Sequence, residues 1–127
     1  MLETDLAQMI EQDHQALDAL VTGDPEPKKR MFSRRDDVTL ANPPGPPVRG
    51  WSDVEKTMER VASSIRDGEP HHFERISESA TPDLACVLEI ERSRAKFGGS
   101  NELAAYSLRV DALETRSWRV EGRLSSR

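Results

Sequence analysis

Leu84-Ala85-Cys86-Val87-Leu88-Glu89-Ile90-Glu91-Arg92-Ser93-Arg94-Ala95-Lys96-Phe97 is the stretch on which the fold turns. Read as a strand, it puts Val87, Glu89 and Glu91 on one side and Cys86, Leu88 and Ile90 on the other. Long segments flank it: Phe73 to Ala80 before, Glu102 to Thr115 and Trp118 to Ser125 after. The connections Thr81-Pro82-Asp83 and Gly98-Gly99-Ser100-Asn101 are short. Short turns between long strands give antiparallel hairpins. The second half of the chain therefore reads as a four-stranded meander.

Ahead of the meander the period changes. Leu2, Leu6, Met9, Ile10, Leu17, Leu20 and Val21 form one helical stripe, stopped by Gly23 and Asp24-Pro25-Glu26-Pro27. Lys28 to Phe32 predicts a short second helix. The basic residues Lys28, Lys29, Arg30, Arg34 and Arg35, followed by two acids, read as a solvated face. Val38 to Ala41 reads as a strand, and Pro43-Pro44-Gly45-Pro46-Pro47 as a rigid loop. Ser52 or Asp53 can cap a third helix with the stripe Val54, Met58, Val61, Ala62 and Ile65, closed by Asp67-Gly68. Helices first and a curved antiparallel or mixed sheet second make an α+β domain.

The chain has 127 residues, which fits one domain spanning 1–127. Its formal charge of −5 argues against a nucleic-acid backbone binder. No apolar run is long enough to span a bilayer, and the acidic N-terminus has no signal-peptide core. One cysteine excludes an internal disulfide and points to a reducing, cytoplasmic setting, with Cys86 expected in the core.

Asp36-Asp37-Val38-Thr39-Leu40-Ala41-Asn42-Pro43, then Gly50 and Val54-Glu55, carry a family likeness. With Tyr106-Ser107-Leu108-Arg109-Val110 and Trp118-Arg119-Val120, this sequence resembles the nuclear transport factor 2-like superfamily and its SnoaL-like domains. The resemblance implies a cone-shaped sheet wrapped around two to three N-terminal helices, with an apolar pocket at the open end. It also implies a homodimer formed through the sheet.

The catalytic patterns of that superfamily do not carry over. Ketosteroid isomerases have an acid where Asn42 stands, and a carboxamide cannot accept the proton. Limonene epoxide hydrolases share the Asn, but their two acids fall on Arg94 and near Gly122-Arg123. The His-x-His ending of some SnoaL-like domains falls on Gly122 and Leu124. His14, His71 and His72 remain, and adjacent strand residues such as His71 and His72 point to opposite faces. All three read as solvated or half-buried.

What remains for chemistry is Glu89, Glu91, Arg109 and Asn42. Either the charged set lines the pocket, with Arg109 offsetting an inward Glu89 or Glu91, or it pairs across an exposed or interfacial face. Phe32, Leu40, Trp51, Met58, Phe73, Tyr106 and Trp118 complete the expected lining. The expected function is binding of a small apolar or amphipathic molecule, with no cofactor, metal, nucleic acid or membrane. The alternatives are an isomerase, cyclase or hydrolase built on the same residues, and a dimerising association module.

Overall fold

A computed structural model describes residues 3–41, 46–81, 84–114 and 119–126, with the backbone path alone for 3–5, 103–114 and 119–126. Three helices come first: α1 (Glu3–Leu20), α2 (Glu26–Met31) and α3 (Trp51–Ser64). Between α2 and α3 lie β1 (Thr39–Leu40) and β2 (Val48–Arg49), paired antiparallel. The main sheet holds β3 (Ile65–Arg66), β4 (His72–Ala80), β5 (Leu84–Phe97), β6 (Leu103–Glu114) and β7 (Arg119–Ser126). Every described pairing is antiparallel, so the mixed alternative drops out. The α+β architecture is as expected.

β5 organises the sheet. Its first half pairs with β4 and its last two residues with β3, while β6 runs along the other edge. Burial alternates residue by residue along its whole length up to Ala95. Bulges bend the sheet: one extra residue at Ile76 on β4, one on β5 between Glu89 and Ser93, and further shifts where β6 meets β7. Each bulge kinks its strand and increases the local twist, which is how a long meander curls. The last strand, left open by the sequence, is a full eight residues.

Two apolar clusters form the core. The larger joins Leu6, Met9 and Ile10 of α1 to Phe32, Leu40, Met58, Ala85 and Val87. The smaller gathers Val21, Val61, Ile65 and Ala95. β5 runs through both clusters, while α1 lies in the larger and ends one residue before Val21 of the smaller; both elements carry polar residues in between.

Several expectations are corrected. Cys86 is exposed, because β5 buries its odd-numbered residues. Lys28 is buried against the Asp13 carboxylate, its ammonium 5.4 Å from the centre of the Phe32 ring. It leaves the solvated face because Lys28 and Met31, three apart, form the side of α2 that packs on α1. Gly50, not Ser52 or Asp53, caps α3, with φ of 90° and no side-chain cap bond. The helix ends at Ser64, where Ile65 and Arg66 leave it to pair with Phe97 and Lys96.

Candidate functional site: a carboxylate–imidazole band between α1 and the sheet

The inward face of β5 reads Ala85, Val87, Glu89, Glu91, Ser93, Ala95, all buried. Its middle is polar while both ends are apolar. A buried carboxylate without a partner is very costly, so the partners of Glu89 and Glu91 define the site.

Glu89 is held from two sides. Nε2 of His14, on α1, lies 2.8 Å from Oε1. Arg75, on β4, donates from Nε and Nη2 to Oε2 at 3.0 and 2.9 Å. Burial alone pushes the Glu89 carboxyl up, but the bonds and charges of His14 and Arg75 outweigh it and leave the group below the ordinary carboxylate value. Glu89 is thus an ionised, anchored carboxylate.

Glu91 is held through His71, just ahead of β4. Nε2 of His71 lies 2.7 Å from Glu91 Oε1, and Nδ1 lies 2.6 Å from Asp18 Oδ1. The His71 backbone N–H donates to that same Asp18 oxygen at 2.9 Å. Neutral imidazole has one N–H, and here two nitrogens face acceptors. Held at both nitrogens, the imidazole is fixed in orientation between α1 and β5. One step along β5, Ser93 Oγ donates to the Glu69 carbonyl at 2.8 Å.

Phe73 binds the two halves together. Its ring stacks on His14 at 3.5 Å between centroids and an angle of 6°, and on His71 at 5.4 Å. Strand alternation explains the set: His71, Phe73 and Arg75 are two apart and share one side of the strand, His71 and Phe73 meeting α1 and the more exposed Arg75 reaching Glu89. On α1, His14 and Asp18 are four apart and share one helical face.

The sequence placed Glu89 and Glu91 on one face, and that face is the inner one. It missed their partners, since His14 and His71 take roles assigned to neither. The signal was present: His71, Phe73 and Arg75 alternate in step with Glu89 and Glu91. Arg109 stands opposite Glu89 in the backbone register, and Tyr106 opposite Ser93. Asn42 and Trp118 lie outside the described residues. Phe32, Leu40 and Met58 are fully buried core residues. Trp51 is partly buried and carries the Arg34 guanidinium 3.6 Å above its ring. Among the described residues, no three His, Cys, Asp or Glu side chains gather as metal ligands do, and no helix is long and apolar enough to cross a membrane.

No protein-family model and no curated protein sequence matches the chain. Solved structures do. A ketosteroid isomerase-like protein from Erwinia carotovora atroseptica superposes with a TM-score of 0.76 at 15% identity, covering 98% of this chain and 97% of that one. A nuclear transport factor 2-like superfamily protein from Salmonella enterica serovar Typhimurium gives 0.74 at 14% identity, covering 97% and 88%. A protein of ketosteroid isomerase-like fold from Catenulispora acidiphila, solved in complex with trimethylamine, gives 0.57 at 14% identity, covering 94% and 84%. At such identities the likeness fixes the fold and leaves function to the residues.

Proposed function

With the nuclear transport factor 2-like cone fold as its frame, we propose that this chain binds a small apolar or amphipathic molecule against the inner face of β5. The observation that carries the reading is the band of Glu89, Glu91 and Ser93, buried between two apolar clusters and covered by His14 and Asp18. Polar groups at fixed positions in apolar surroundings orient a ligand whose body is apolar. The Catenulispora protein of similar fold, with its trimethylamine, is an instance of a small organic guest. Arg109, Asn42, Tyr106 and Trp118 belong to the proposed lining, and the reading needs neither metal nor cofactor. We place the chain in the cytoplasm as a homodimer joined through the outer face of the sheet.

A second reading, an acid–base enzyme of the isomerase, cyclase or hydrolase kind, is favoured by the Arg75–Glu89–His14 arrangement. A carboxylate fixed by an arginine and bonded to an imidazole is how a histidine is oriented for proton transfer. Mass spectrometry of the denatured, freshly purified protein tests binding directly. A stoichiometric small organic molecule is the expected result. Arg109→Ala should lower its retention, and full retention removes the arginine from the lining. A protein that carries nothing and shows no thermal shift with any of a broad set of apolar compounds has a filled interior, as an association module does.

A further inference from the structure

A second polar cluster, none of whose residues belongs to the β5 band, lies where the chain turns into α3. An open surface cavity of about 470 Å³ is lined there by Arg34, Arg35, Asp36 and Asp37, from the segment joining α2 to β1, and by Arg49 of β2. Backbone bonds brace its frame. The Trp51 N–H donates to the Arg35 carbonyl at 3.2 Å, and the Gly50 N–H to the Val38 carbonyl at 2.7 Å. The Arg35 N–H donates to Ser33 Oγ at 3.3 Å.

The three arginines are not equivalent. Arg35 is committed: its Nε and Nη2 donate to the two Asp37 oxygens, each at 3.0 Å. Those bonds, with a smaller pull from Arg49, hold the Asp37 carboxyl below the ordinary carboxylate value. The Arg34 guanidinium lies 3.6 Å from the centre of the Trp51 ring. That contact uses the face of the group, and its five N–H donors lie in the plane, so none is spent. Arg34 and Arg49 are both exposed, and neither has a hydrogen-bond acceptor among the described residues.

We propose that Arg34 and Arg49 form a binding site for a free, small organic monocarboxylate, independent of whatever binds at β5. Charge fixes the class. Three guanidinium groups against two carboxylates leave one positive charge over, which a single carboxylate neutralises. A phosphate dianion would bring a second negative charge beside Asp36, in a chain whose formal charge is already −5. The same two Asp side chains disfavour a polyanion. Shape agrees with charge, because the guanidinium fork matches the two oxygens of a carboxylate and each bond is charge-assisted. Trp51 holds Arg34 before the guest arrives, which spares part of the entropy of ordering a long side chain on binding. The cavity volume lies in the small-molecule range.

Arginine side-chain NMR on the whole ¹⁵N-labelled chain, in cold neutral buffer, tests the site. With the Nε–H signals assigned through Arg34→Gln and Arg49→Gln, sodium butyrate should shift both along a saturating curve. Sodium chloride at equal ionic strength should not. An identical response to the two salts means that the anion only screens the arginines, and the proposal fails. Arg49→Gln should weaken butyrate binding about fivefold, the upper range for an exposed ion pair; an unchanged affinity removes Arg49 and with it the site. Butyl phosphate, mostly a dianion at neutral pH, should bind more weakly than butyrate, and Asp36→Asn should narrow or reverse that order. Butyl phosphate binding the wild-type chain more tightly than butyrate overturns the monocarboxylate assignment.

Discussion

A Cβ at Gly68 would stand 2.2 Å from Cγ2 of Val21 and 2.6 Å from its carbonyl oxygen, the same oxygen that accepts the Gly68 N–H at 3.0 Å. The end of α1 and the turn before β4 touch there with no room for a side chain. Gly68→Ala is expected to lose about 1–3 kcal/mol, the usual cost of overpacking, read from urea unfolding; an unchanged midpoint refutes the contact. Glu89 makes a prediction in pH. Its folded carboxyl titrates below the ordinary 4.5, so between the two values the unfolded chain binds more protons. Stability rises with pH across that window. The Glu89 contribution is therefore complete above about pH 4.5 and is lost as pH falls through the lower folded value. Glu89→Gln should flatten the acid limb of a stability–pH curve, and an unchanged limb shows that Glu89 is not ionised in the fold.

Elements were legible in proportion to their length. The sequence reading of β5 matches its observed bounds, and α1 ends at Leu20, one residue before the last apolar position of its stripe, Val21. Long elements repeat their pattern often enough to state a period. The two-residue strands β2 and β3 were not legible, because two residues have no period and their pairing is a tertiary fact. The α3 cap was misread for a similar reason: the Gly50 N–H donates to the Val38 carbonyl beside the β1–β2 pair, and that contact starts the helix before Ser52 can cap it. The burial of Lys28 needed the α1–α2 packing. That packing supplies the next prediction. Asp13 and Lys28 are both buried, so Asp13→Ala takes the carboxylate away from a buried ammonium, at a cost of about 3–5 kcal/mol. Replacing both residues, as Asp13→Leu with Lys28→Met, should recover most of that loss in chemical denaturation. If the double variant is no more stable than the single one, the α1–α2 contact depends on the charges themselves.

At the scale of the molecule, β5 presents two different sides. Inside lie Glu89 and Glu91; outside lie exposed Cys86 and half-buried Leu88 and Ile90, with Ile76 of β4 51% and Leu84 45% exposed. The register sets Ala112 opposite Cys86 and Val110 opposite Leu88. A solvated outer face of an antiparallel sheet is ordinarily polar, and contiguous apolar exposure marks an interaction surface. The proposed homodimer would cover this face and put β5 out of water on both sides. Light scattering after size exclusion should then give twice the chain mass. Leu88→Glu should halve that mass, because an isologous contact meets its own copy and sets two new carboxylates near each other. Circular dichroism should stay unchanged, since Leu88 lies outside the inner core. A monomeric wild-type chain, or a Leu88→Glu dimer as tight as the parent, means that the apolar outer face serves another purpose.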